Sequence, residues 1–364
     1  RNSGLIPLVS PRVGDGHDRP PGFPRGTGRA VFRLGSVGYR NRLFRMVRET
    51  LMLHASLRAL EEAAPDCRSA AQARGVLAES HELLRNALAH SDDESELVHW
   101  YSRVLAAVLA SPAVAEIAGA VRLVPLGALA RREVLPDSPL RFAAVLDDAA
   151  SADAGANDAV GRVVTLFADA EVPAEADGEP VTEAERAARL ETALEQADMA
   201  TVADAADSAL SAGATLDERS WAPLAACFEA ARPVGLRVRD GLPDSSVSVD
   251  VERDLVEPLA AVARSAANSA RTPSMTTSGR LAVAADRGVL SPAEAEELEL
   301  AWRTGVRIRL RRWDERVSTR PVPAEDLSAV QRSAYGASAR GLATVIDAVA
   351  ARAEGEAGDP AAPA

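Results

Sequence analysis

The chain has 364 residues, a formal net charge of −12, and 47% hydrophobic but only 4% aromatic residues. That acidity disfavours non-specific nucleic-acid binding, no apolar run is long enough for a membrane span, and the cysteines Cys67 and Cys227 offer no metal-ligand spacing. The length leads us to expect two domains of roughly 100–200 residues each, and the cysteine usage suits a reducing, cytoplasmic setting.

Residues 1–38 are rich in Gly, Pro and Arg and show no periodicity. They are expected to be a disordered leader, or sequence upstream of the true start. Residues 39–63 carry an apolar stripe through Leu43, Met46, Val47, Leu51, Leu57 and Leu60, the pattern of an amphipathic helix. Pro65 and Asp66 break it. A second helix is expected over residues 69–90. Ser91 with Glu94 three residues on reads as a capping box for a third, running through Trp100, Leu105 and Leu109. Ser111-Pro112 interrupts the pattern, and a short helix continues to Ala118. His54, His81, His90 and His99 lie on or beside these helices. None are spaced i, i+4 as in a helical zinc site, so they are expected at the surface or its boundary.

Residues 121–148 read VRLVPLGALARREVLPDSPLRFAAVLDD. Val121, Leu123 and Pro125 alternate along a short run that stops at Gly127. A second apolar run, Phe142 to Leu146, ends at Asp147 and Asp148. Such runs, bounded by Gly, Pro and Asp, are strand signals. Gly127, Ala128, Arg131, Glu133, Ser138, Pro139 and Arg141 occupy the connection and the start of the second run. Taken alone, Gly127 can be a turn glycine, and Arg131 and Glu133 a solvated pair.

This pattern resembles the core of the nucleotidyltransferase superfamily, in particular the family related to the N-terminal part of protein-PII uridylyltransferase. Members carry Gly-Ser, then Arg-x-Glu, then Ser-Asp-x-Asp opening the next strand. Gly127, Arg131, Glu133 and Ser138 fall on that motif. Ala128 stands where the family has Ser, and Pro139 and Arg141 stand where it has its two Asp residues. The resemblance implies Mg2+ and a nucleoside triphosphate, the metal neutralising the triphosphate. Carboxylates at i and i+2 of a strand share a face and can hold the metal together. Proline has no ligand atom, and arginine is always cationic. Asp147 has the right parity but lies roughly 20 Å further along the strand. The motif therefore argues for the fold and against the reaction. Arg141 could instead be a counter-charge for phosphate, with Gly127, Ala128, Arg131, Glu133 and Ser138 as further nucleotide contacts. Equally, it could pair with Glu133 or Asp137 and close the site.

A helix is expected over residues 157–168 and an acidic loop over 175–180. Thr182 and Glu185 form a capping box that opens an Ala-rich helix to about Asp198, and another helix follows to Ser211. Thr215 can cap a helix reaching Ala231. Residues 234–238 and 245–251 read as strands, with Asp240 and Asp250 as candidates for a third acid. From Arg253 onward the order Arg253-Asp254-Leu255, Pro258, Arg264, Thr276-Thr277, Arg280-Leu281, Gly288-Val289-Leu290-Ser291 and Leu327-Ser328 with Arg332 resembles the helical substrate-binding module that accompanies that family. Ser291, Pro292 and Glu294 open a helix by a capping box. Leu298, Trp302, Val306, Leu310 and Trp313 form its inward stripe, widened by Ala301 and Ile308. Arg307, Arg309, Arg311 and Arg312 crowd its end, where they complement the helix dipole or form an anion site. A last helix begins at Ala324 or Leu327 and presents Val330, Leu342, Val345, Ile346 and Val349.

The expectation is a mainly α protein with a small mixed α/β nucleotidyltransferase-like core and a C-terminal helical bundle. Its boundaries are a leader at 1–38, a nucleotidyltransferase-like domain at 39–212, a helical substrate-binding domain at 213–354 and a disordered tail at 355–364. The family implies nucleotidyl transfer to a protein or small acceptor. Residue chemistry points to a catalytically degenerate binding module for a nucleotide, a phosphorylated ligand or a protein partner.

Overall fold

A computed structural model describes residues 53–90, 93–147, 154–220, 230–233, 238–239, 242–244, 246–317 and 321–357. The expected leader, the first part of the first helix, Trp221, Leu224, Phe228, Asp240 and residues 358–364 lie outside them. Residues 52–364 form one compact unit.

Four helices open the described chain: α1 (Ala55–Ala63), α2 (Ala70–Leu88), α3 (Glu94–Leu109) and α4 (Pro112–Ala118). Ser69 caps α2, accepting from the Gln72 amide. The cap of α3 is Asp93: its carboxylate accepts from the Ser95 and Glu96 amides. Ser91, the expected cap, lies outside the described residues. Pro112 occupies the first turn of α4, where its missing N–H is not needed. Among the described residues no single helix is long and apolar enough to cross a membrane.

The sheet follows. β1 (Val121–Pro125) runs antiparallel to β2 (Leu140–Leu146), pairing Val121 with Leu146 and Pro125 with Phe142. Between them stands a short helix, α5 (Gly127–Arg131), where the sequence suggested only a turn and a polar connection. Helix α6 (Ala154–Ala168) then crosses over to β3 (Ala174–Ala176) and β4 (Val181–Thr182), both parallel to β2. The expected acidic loop thus contains a strand at Glu175. The sheet is mixed, with β2 central and buried on both faces. Phe142, Ala144 and Leu146 enter the main core; Ala143 and Val145 pack with Leu126 and Val124 on the other side. That second face is covered by α7 (Glu183–Gln196) and α8 (Met199–Ser211). The capping box of α7 forms as the sequence indicates, between Thr182 and Glu185.

The C-terminal part is helical with two small strand pairs: β5 (Val238–Arg239) with β6 (Leu242–Pro243), and β7 (Ser248–Val249) with β8 (Val322–Pro323). The strand expected over 245–251 is therefore reduced to two paired residues, and a π-helical turn follows at Glu252–Val256. Then come α9 (Glu257–Ser269), α10 (Thr277–Asp286), α11 (Pro292–Asp314) and α12 (Ala329–Ala357). The Ser291–Glu294 capping box is present. Leu298, Ala301, Trp302, Val306, Ile308 and Leu310 are buried as their spacing requires. Gly305 lets α11 approach the π-helical turn closely; a Cβ there would meet Val256 at 3.0 Å. Val330 is not on the inward face but 79% exposed, because helical spacing puts it roughly 110° round α12 from the centre of the face made by Leu342, Val345, Ile346 and Val349. Helix α12 extends to Ala357, into the expected tail. One hydrophobic core runs from Leu77 and Trp100 through Phe142 to Leu255, Trp302 and Ile346.

Candidate functional site

Strand parity places Arg141 with Ala143 and Val145 on the β2 face that α7 and α8 cover. A cleft of about 200 Å³ opens there, bordered by Ala143, Asp177, Arg186, Leu190, Thr201 and Asp204. Arg141 reaches two acids at its edge. Its Nη1 donates to Asp204 of α8 at 3.0–3.2 Å, and its Nη2 donates to Asp177 after β3 at 3.0 Å. Neither Glu133 nor Asp137 is its partner. Burial opposes the Arg141 charge, but Asp204 and then Asp177 outweigh it and raise its pKa. Gly127 closes over this trio. Its φ is +49°, and a Cβ on it would stand 3.4 Å from Asp204 Oδ1 and 3.8 Å from Arg141 Nη1. The position favours glycine for both backbone and space.

Arg131 and Glu133 point the other way, into the protein. The two bond each other at 3.1 Å, and neither is solvated. Asp207, fully buried on α8, is the centre of this second constellation. It accepts from Arg131 Nη1 at 2.6 Å, from Arg264 Nε at 2.9 Å and Nη2 at 3.0 Å, and from Arg280. Glu133 accepts from the Thr277 hydroxyl at 2.8 Å and from the Thr277 amide. Burial would raise the Asp207 pKa; Arg264, Arg131 and Arg280 outweigh that and hold it well below the carboxylate range. Arg131 is likewise held above its ordinary value, since Asp207 and Glu133 overcome the cost of burial. The Arg-x-Glu motif of the strand pair and the Arg264, Thr277 and Arg280 of the C-terminal run thus meet in one buried network. Sequence reasoning missed Asp177, Asp204 and Asp207. The only sequence signal was the i, i+3 spacing of Asp204 and Asp207 on an otherwise small-residue helix.

The remaining expected positions have structural partners. The Ser138 hydroxyl meets Arg309 Nη2 at 3.2 Å, and Arg309 also pairs with Asp137 and Glu252. Arg307 and Arg311 pair with buried Glu94, and Arg312 donates to the Asp326 carbonyl. The arginines of α11 therefore tie α11 to other parts of the fold. Ala128 is half-buried against the core and Pro139 is exposed. His81 is buried rather than at the surface, with its ring within 2.8 Å of the Tyr101 hydroxyl.

The divalent metal implied by the resemblance does not fit these residues. Pro139 supplies no ligand, and a guanidinium stands on the face where the second carboxylate would be. Among the described residues, no group of three or more His, Cys, Asp or Glu side chains could hold a metal ion.

With that geometry in view, the class of protein is a mostly helical one whose C-terminal part is similar to a nucleotidyltransferase substrate-binding domain. Residues 230–350 match the family described as "Putative nucleotidyltransferase substrate binding domain". No curated protein matches the chain.

Proposed function

We propose that this protein is a nucleotidyltransferase-related binding module that has lost metal-dependent transfer and acts by recognising a nucleotide, a phosphorylated ligand or a protein partner. The observation that carries this reading is Arg141. Its guanidinium lies on the cleft face of β2 and is paired with Asp177 and Asp204, its outer edge remaining exposed. A metal–triphosphate complex would meet a fixed cation at the strand position where the resembled family carries a metal-binding carboxylate. Arg131 and Glu133 are also committed to internal partners, so ligand contacts on this reading fall to Gly127, the rim of Arg141, and Arg186 and Arg189 of α7.

The test is incubation of the full chain with labelled UTP or ATP and candidate acceptors, including a PII-type protein. No Mg2+-dependent incorporation is expected. Turnover that disappears in EDTA would restore the alternative, an active transferase acting on a protein or small acceptor. Calorimetry with ATP, UTP and GTP in EDTA then reads the binding part: heat with at least one of them supports a nucleotide-binding module.

A further inference from the structure

The cleft over β2 has two sides of different charge. On one, Arg141 is held between Asp177 and Asp204, one cation against two acids. On the other, the face of α7 that carries Arg186, Ala187, Arg189 and Leu190 lines the cleft, as residues three and four apart on a helix do. Arg186 is half-buried and Arg189 exposed, and among the described residues neither guanidinium has a hydrogen bond or ion pair. The acids beside them in sequence are engaged elsewhere. Glu183 pairs with Arg122 at 2.7 Å, and Glu185 accepts from the Thr182 amide and hydroxyl in the capping box. Arg189 reaches across to the turn after β3, its Nη1 standing 4.0 Å from where a Cβ on Gly178 would be. Leu126, Ala143 and Val181 give the same cleft an apolar lining.

We propose that this cleft takes a phosphate monoester with a small apolar body, its phosphate held by Arg186 and Arg189. Two guanidinium groups one helical turn apart present forks of N–H donors that match phosphate oxygens. The apolar lining, with Leu190, covers the body of the ligand. Charge and size decide against a longer phosphate chain. The two arginines outweigh the surplus negative charge of the Arg141 trio, which suits one phosphate, whereas further phosphates would face Asp177 and Asp204. At about 200 Å³ the cleft is also smaller than the roughly 300–1,000 Å³ that encloses a drug-sized ligand. This inference rests on the reading of the protein as a ligand-binding module and names the class of ligand.

Calorimetry of the full chain in EDTA tests it, with phenyl phosphate, inorganic phosphate and ATP as probes. Wild type should bind phenyl phosphate, inorganic phosphate at least about fivefold more weakly for want of the apolar body, and ATP no more tightly than phenyl phosphate. Arg186→Gln and Arg189→Gln should each weaken phenyl phosphate by about five- to tenfold, with folding checked by circular dichroism. Arg68→Gln removes the same charge from an exposed position outside the cleft and should bind as wild type. Unchanged affinity in the double variant at 186 and 189, or an equal loss in Arg68→Gln, would overturn the proposal. So would ATP bound tenfold more tightly than phenyl phosphate. Heat with ATP but none with phenyl phosphate would sink this inference and leave the binding-module reading standing; that reading fails instead on Mg2+-dependent incorporation, a separate assay.

Discussion

Asp207 carries an unusual share of the electrostatics for a single side chain. It is fully buried and faces three guanidinium groups, with Arg264 engaging it through two nitrogens. Replacing both partners of a buried ion pair by apolar groups can be harmless, but removing one partner strands the others. Asp207→Ala should therefore destabilise the protein by about 3–5 kcal/mol in urea unfolding. Its pH signature follows from its depressed pKa. The native state holds the proton less tightly than the unfolded chain, so this stabilisation is complete above the ordinary value of 3.8 and is lost as pH falls through the lower folded value. Wild type should lose stability on acidification below that point more steeply than Asp207→Asn. Equal acid slopes in the two proteins would contradict the assignment.

At the scale of elements, β2 and α8 organise the site between them. Residues 142, 144 and 146 of β2 serve the main core, while Arg141 and its parity mates serve the cleft. Helix α8 holds Asp204 toward the cleft and Asp207, one turn on, toward the buried network. The turn into α5 fixes how closely the strand pair approaches both. Gly127→Ala forces a left-handed φ on a residue with a Cβ and presses that carbon against Asp204. We expect a loss of about 1 kcal/mol or more, read as a lowered urea midpoint. A neutral or stabilising Gly127→Ala would mean that α5 relaxes freely and the close approach has no role.

Over the whole molecule, the N-terminal sheet and the C-terminal helices are joined by charge as well as by the shared core. Glu133 meets Thr277, Asp207 meets Arg264 and Arg280, Glu94 meets Arg307 and Arg311, and Asp137 meets Arg309. Glu252 shares the Arg309 cation with Asp137. Burial pushes its pKa up to about 7, only partly opposed by Arg309 and reinforced by Glu257 and Asp137. Here the sign is opposite to that of Asp207. Between the ordinary value of 4.5 and about 7 the native state binds the proton that the unfolded chain has released, so stability falls as pH rises through that window. Glu252→Gln should remove this slope, worth about 1–3 kcal/mol across the window. Denaturation at pH 5 and pH 7.5 provides the check, and an unchanged slope in the variant would refute it.

Features that depend on near neighbours in the chain were readable from the residues alone. The capping boxes at Thr182 and Ser291, the inward stripe of α11 and the strand pair at 121–146 rest on local hydrogen-bond chemistry and on the periods of helix and strand. A misreading arose where a residue was assigned to a helix face that its phase does not reach, as Val330 was. The partners of the charged residues were a different matter. Arg141 and Asp204 lie 63 positions apart, Arg264 and Asp207 57, and Glu133 and Thr277 144. With 53 acidic residues in the chain, nothing local selects among them. Coulomb attraction acts through space and carries no sequence period, so which acid meets which arginine was settled by how β2, α8, α9 and α10 pack.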